Sequence, residues 1–376
     1  MLMCTYFVYR RFLRCDPGLP RDLQIGCVFA PLPQAPELEL PGVRRLTNDP
    51  YLYQSPVWSP DGTLIAVNRN RNAQSVVGPF DEDWEIVLIE VATGEVRELD
   101  LGPFAPSAAV FPASWSPDGK ELVFDLDELI NAEGTPVGIF EGEEHLILYS
   151  IDTGALRELN CPSCGVPVWL GDGSIMAMAA SSIILPETSS ESANALVRIN
   201  SASGDLMVTM LLPWLTNWQF PDSEPGGEGH LVAAPFAFSR DGRVALVSTS
   251  LNSCTDIWRW QVDSELKPQR LIASPDVEEC EPAWSWDGSK IAYTVKKPSY
   301  FAPTSLVIAT ADGSDPVRLL EPTLDTYQIH HPSWSPDGTS ISFTYGLFHP
   351  TTTSYNTLYV VDVPPELRPE RDMTRP

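Results

Sequence analysis

The sequence is short of positive charge, of histidine and of long apolar runs. Lys and Arg number 24 against 50 Asp and Glu, a formal net charge of −26 over 376 residues. Such an excess argues against nucleic acid and anionic membrane as partners, because both would repel it. No stretch of about 18 apolar residues occurs, so no transmembrane helix is expected. Five histidines leave little material for a centre built on converging imidazoles. No Gly-x-Ser-x-Gly elbow is present to mark a nucleophilic serine. The seven cysteines are odd in number, so at least one has no partner within the chain. Cys161-Pro162-Ser163-Cys164 has the spacing of half a zinc site or a redox pair, but no second such pair appears. A loop staple or two free thiols is the simpler reading. Cys254 and Cys280 are expected to pair across neighbouring loops if the compartment is oxidising.

What the chain has in quantity is punctuation. Its 36 prolines, 24 glycines and 11 tryptophans, with 43% hydrophobic residues, suit many short strands joined by turns and exclude a disordered chain. One phrase recurs: Trp58-Ser59-Pro60-Asp61-Gly62, Trp115-Ser116-Pro117-Asp118-Gly119, Trp169-Leu170-Gly171-Asp172-Gly173, Phe238-Ser239-Arg240-Asp241-Gly242, Trp284-Ser285-Trp286-Asp287-Gly288 and Trp334-Ser335-Pro336-Asp337-Gly338. Pro presets φ at a turn, Asp hydrogen-bonds nearby backbone, and Gly accepts positive φ, so each copy is a tight hairpin. The Asp-to-Asp spacings of 57, 54, 69, 46 and 50 residues fit six four-stranded units with variable loops.

Each copy is followed by an apolar second strand, beginning at Leu64, Leu122, Ile175, Val244, Ile291 and Ile341. Third strands follow over 86–89, 146–149, 196–199, 257–260, 306–308 and 358–361. A second turn signal comes next at Thr93-Gly94, Thr153-Gly154, Ser203-Gly204 and Asp312-Gly313. Fourth strands over 96–99, 156–159 and 317–320 share an apolar-Arg-x-Leu form. The sixth unit stops at Pro364-Pro365, and Val43-Arg44-Arg45-Leu46 upstream has the form of its missing strand. The N-terminal segment is therefore expected to complete the last blade and close the ring.

The six repeats resemble the TolB-like six-bladed β-propellers, with WD-repeat-like blades, over roughly residues 43–363. The resemblance implies an all-β six-bladed propeller of four-stranded antiparallel blades and, more weakly, an extracytoplasmic setting. TolB-type proteins carry an α/β domain before the propeller, and the 42 residues before Val43 are too few and too Pro-broken to form one. Residues 1–36 read as an extension and linker, 37–365 as the propeller and 366–376 as a polar tail. Met1 to Phe12 places Tyr6, Phe7 and Val8 before Arg10 and Arg11, the reverse of a signal peptide.

The Asp-Gly and Thr-Gly turns share one face and read as scaffold. Their ring of aspartates needs no metal, since Asp beside Gly is turn chemistry. Function is expected on the opposite face, where loops vary. The segments entering each first strand supply the candidates: Tyr53 in the first blade, Phe111 in the second, Trp214, Trp218 and His230 in the fourth, Glu279 and Glu281 in the fifth, and Tyr327, His330 and His331 in the sixth. Prolines 56, 112, 167, 235, 282 and 332 are expected to start the innermost strands. Two functions stay open. One is a monomeric, non-catalytic module that binds a protein or peptide at its loop-rich face and channel mouth. The other is a hydrolase or lyase using His330, His331 and the acidic 278–281 segment. No cofactor is expected beyond a calcium ion, which carboxylates and carbonyls would suit.

Overall fold

The computed structural model describes residues 38, 40–49, 51–70, 84–102, 108–110, 113–128, 144–161, 164–180, 194–212, 236–248, 256–262, 264, 267–298, 302–321, 327–347 and 355–369. They form six antiparallel sheets arranged as a ring of blades. Blade 1 runs outward from Leu52–Trp58 through Leu64–Asn70 and Trp84–Glu90 to Val96–Glu98. Blades 3 to 5 repeat that order, with innermost strands Cys164–Trp169, Phe236–Phe238 and Glu278–Trp284. In blade 2 the innermost strand is split into Ala108–Val110 and Ser114–Trp115, both paired to Glu121–Glu128.

Blade 6 closes the ring as expected. Its strands Tyr327–Trp334, Ser340–Leu347 and Tyr355–Asp362 are joined on the outside by Val43–Arg45, with Val43 opposite Val361 and Arg45 opposite Tyr359. Leu46 N–H donates to Leu358 O at 2.8 Å, and Arg45 Nη2 donates to Thr357 Oγ1 at 3.3 Å. The first and last described strands thus share one sheet.

Apolar side chains alternate along the strands and pack between blades, so the core is divided among six seams. Ala66, Ile86, Trp115 and Phe124 fill the seam between blades 1 and 2, while Ile329, Phe343, Ala292 and Ile308 fill that between blades 5 and 6. Tyr53, Ile65, Leu358 and Val360 fill the closing seam between blades 6 and 1. Each buried Ile, Leu, Val or Phe side chain contributes about 1.5–3 kcal/mol by leaving water.

The Asp-Gly turns are built alike. Ser59 Oγ donates to Asp61 Oδ1 at 2.6 Å and accepts from Leu64 N–H at 2.9 Å, while Gly62 takes φ +73°. Ser116–Asp118, Ser239–Asp241, Ser285–Asp287 and Ser335–Asp337 repeat the pair at 2.6–2.8 Å. Those turns also bond to the second turn of the same blade, as in Val91 N–H to Thr63 O at 2.9 Å, which places both turns on one face. The phrase's tryptophan links blades. The indole N–H groups of Trp58, Trp115 and Trp284 donate to Ser333 O, Val57 O and Ala237 O of the preceding blade, at 2.9–3.1 Å.

The prolines depart from expectation. Pro56, Pro167, Pro282 and Pro332 lie inside the innermost strands, three to five residues after they start. At each one the register slips, so that two residues face one on the second strand. This is a β-bulge, and a proline there loses no ladder bond. Pro112 and Pro235 lie outside the described residues.

Candidate functional site

The bulges shape the end of the innermost strands opposite the Asp-Gly turns. The residue before each proline takes a left-handed backbone: Ser55 at φ 52°, Val166 at 53°, Glu281 at 50° and His331 at 52°. None is glycine, so each holds a conformation that L-residues avoid, with Val166 the most costly because it is β-branched. Four such positions at equivalent points of four blades mark the place where strain is concentrated.

The strain redirects side chains. Glu279 and Glu281 are two residues apart, and in a regular strand both would face the same neighbouring blade. The bulge separates them. Glu279 is 1% exposed and interacts with Asp256 of blade 4 and with Tyr293. Burial pushes its carboxyl above the usual range, and Asp256 adds to the rise.

Glu281 turns the other way, toward blade 6. Its Oε1 lies 3.0 Å from His330 Nδ1, and its Oε2 accepts from His331 N–H at 3.0 Å and from Thr294 Oγ1 at 3.3 Å. Burial pushes this carboxyl up, but His330 and His331 outweigh burial and hold it down at about 2. Burial also pushes the His331 imidazole below its ordinary value, against the pull of Glu281. His330 Nε2 meets Gln328 Oε1 at 3.1 Å, and Gln328 Nε2 donates to Ala302 O at 3.0 Å, which sets the orientation of that amide. His330 therefore has a side-chain oxygen at each ring nitrogen.

A second set of residues supports the bulges. Seven positions after each turn aspartate, on the second strand, stand Asn68, Asp125, Ala179, Ser248, Thr294 and Thr344. All but Ala179 are polar, and these five are at most 5% exposed. Thr294 Oγ1 donates to Cys280 O at 3.2 Å and Thr344 Oγ1 to His330 O at 3.4 Å, each reaching the residue just before a bulge. Asp125 Oδ2 accepts from Val166 N–H at 2.9 Å. A Cβ on Gly165 would sit 2.7 Å from that oxygen, so only glycine fits there.

The other sequence candidates separate into groups. Tyr53 is fully buried in the closing seam, where its hydroxyl donates to Asp49 Oδ2 at 2.6 Å. Burial and Asp49 raise its phenol well above the ordinary value. The Asn356 side chain clamps the Tyr53 backbone, accepting from its N–H at 2.5 Å and donating to its carbonyl at 2.7 Å. Tyr327 is half-buried, with its ring 5.4 Å from that of Tyr345. Phe111, Trp214, Trp218 and His230 lie outside the described residues. The structure thus joins Glu281, His330 and His331 and sets Glu279 and Tyr53 apart. Gln328, Thr294 and Thr344 were missed, although a polar residue seven after five of the six turn aspartates was a signal for the two threonines available in the sequence.

Among the described residues, no three His, Cys, Asp or Glu side chains converge as metal ligands, and no helix is long and apolar enough to cross a membrane. Cys161 and Cys164 form a disulfide, buried where blade 2 passes into blade 3. Cys280 is also disulfide-bonded, and Cys254 lies outside the described residues.

No protein-family model and no curated protein sequence matches the chain. Solved structures do. A protein described as TolB from Agrobacterium tumefaciens is 18% identical over 85% of this chain and 94% of its own, with a TM-score of 0.50. TolB from Acinetobacter baumannii is 14% identical over 86% of this chain and 66% of its own, with a TM-score of 0.45. An oligogalacturonate lyase from Vibrio parahaemolyticus is 14% identical over 87% of this chain and 94% of its own, also with a TM-score of 0.45. The first similarity and the six blades together identify a TolB-like propeller fold. A fold of this kind leaves the choice between binding and catalysis to the site.

Proposed function

We propose that this TolB-like propeller is a non-catalytic module that binds a protein or peptide segment at the bulged ends of its innermost strands. The observation that carries the reading is the internal use of the Glu281 carboxylate. Both of its oxygens are engaged between blades 5 and 6, and a carboxyl held near 2 is a poor proton acceptor at neutral pH. Such a group braces a surface. Beside it stand half-buried His330 and His331, and Tyr51, Ser55 and Tyr327, also half-buried, lie on the innermost strands of blades 1 and 6 or next to them, leaving polar and aromatic edges within reach of a partner. Rigid elements that present varied side chains are a common basis of recognition.

The test is selection from a displayed random-peptide library. Enriched peptides are expected to lose binding to Glu281→Ala and Trp218→Ala and to keep it with Asp61→Ala on the turn face. Failure to enrich, or equal binding to all three variants, overturns the reading. No cofactor enters it; a melting temperature that rises with added calcium would introduce one.

A second reading, a hydrolase or lyase, draws on the 3.0 Å Glu281–His330 pair, since a carboxylate that orients an imidazole recurs in acid/base sites. In that reading His330 Nε2 must leave Gln328 before it can carry a proton to or from substrate. Turnover of peptide or polysaccharide substrates that vanishes in His330→Ala would support it.

A further inference from the structure

We propose that the outer edge of blade 3 is a self-association surface, on which a second copy of this chain pairs antiparallel to form a two-fold dimer. The surface is independent of the channel mouth.

Every blade of a propeller ends in an outer strand with one unpaired row of N–H and C=O groups, and natural sheets protect such edges with short length and charge. Five blades here do so. Val96–Glu98, Leu156–Leu159, Gln269–Ile272, Val317–Leu320 and Val43–Arg45 are three or four residues long, and each has arginine at its second position. Blade 3 does neither. Leu206–Leu212 is seven residues long, carries no charge, and has Met207 where the others have arginine. It pairs with the third strand from Ile199–Leu206 to Asn194–Leu212, with a bulge at Met207, so the row on its other side spans the same seven residues. Among the described residues no strand covers that row. Leu206 and Met207 are 41% and 54% exposed, two of the three large hydrophobics exposed at that level in the described residues.

What an edge offers is backbone hydrogen bonding, so its occupant must itself be an extended strand. The sequence of this strand fits its own copy. A two-fold axis at Thr209 sets Leu206 opposite Leu212, Met207 opposite Leu211, Val208 opposite Met210 and Thr209 opposite Thr209. Every pair is apolar except the central one, and Thr–Thr is a favourable cross-strand pair. Asp205 and Pro213 bound the register at each end: one carries charge, and the other lacks an N–H. With one unprotected edge among the described residues, pairing closes at two copies and does not propagate. The net charge of −26 on each copy opposes the approach, so the dimer should tighten as salt is added.

The test is sedimentation equilibrium of the full chain at low salt and at about 0.5 M NaCl, where screening shortens to a few ångströms. Wild type is expected to approach twice the 41.5 kDa chain mass at high salt. Met207→Arg, which restores the arginine of the other five edges at an exposed position, is expected to halve that mass with unchanged circular dichroism and melting. Hydrogen exchange should show the outward amides of 206–212 protected in wild type and released in the variant. Wild type monomeric at both salt concentrations, or a Met207→Arg variant that remains dimeric, overturns the proposal.

Discussion

The two ends of the innermost strands do opposite things with the same chemistry. At the turn end, carboxylates are spent locally and alike: a serine two residues before each Asp and the backbone two residues after it satisfy the group five times over. Hydrogen bonds from Ser59 and Thr63 outweigh burial and hold Asp61 below its usual range. At the bulged end, Glu281 is satisfied by blade 6, and Asp125 reaches from blade 2 to blade 3. Repetition within a blade builds the scaffold. Variation between blades gives the described seams different groups at this end, as a site requires.

The contrast breaks most severely at the turn end. Trp58→Ala removes a buried ring and its bond to Ser333 O, and should cost about 3–5 kcal/mol. Urea unfolding would measure it, with surviving peptide binding expected in the folded fraction. Glu281→Ala should cost about 2 kcal/mol, since hydrogen bonds to a charged group are lost at a half-buried seam. Here binding should disappear along with the stability.

Acid sharpens the distinction. A carboxyl whose folded value is depressed contributes stability above its unfolded value, near 4.5, and that contribution is lost as pH falls toward about 2. The turn aspartates Asp61, Asp118, Asp172 and Asp241, also depressed, behave in the same sense. His331 is lowered below 6.5, so its protonation opposes the fold, and its contribution to stability should begin to fall as pH drops through 6.5, above the range of the depressed carboxylates. Melting curves of wild type and His331→Gln between pH 7 and 5 separate the two ends: wild type should lose more stability there than the variant. The smallest effect is a gain. Ser55→Gly relieves a left-handed non-glycine residue and should add about 1 kcal/mol, whereas Gly62→Ala at φ +73° should cost about as much.

The scaffold was legible because its signals are local. Pro, Asp and Gly set a turn wherever they stand, and the apolar-Arg-x-Leu form of residues 43–46 was enough to place them at the outer edge of blade 6. The site was legible only as a neighbourhood. Glu278, Glu279 and Glu281 looked equivalent, because the bulge that sends Glu279 into one seam and Glu281 into the next is a long-range slip in register. Its one local trace, a proline, reads equally well as a strand start. Asn68, Asp125, Thr294 and Thr344 were passed over as ordinary strand residues. For Thr294 and Thr344 the meaning comes from bulge backbones on the paired strand, and for Asp125 from one in the neighbouring blade.

The strand that completes blade 6 also sets a timetable for synthesis. Arg45 leaves the ribosome early, and Thr357, to which its guanidinium donates, follows 312 residues later. At about 5–20 residues per second, the interval is roughly 15–60 s. Blades 1 to 5 can form in order during that time, each against the one before. Val43–Arg45 must wait until its partner strand Tyr355–Asp362 has emerged, so the circle can close only after the strands of every blade have been made.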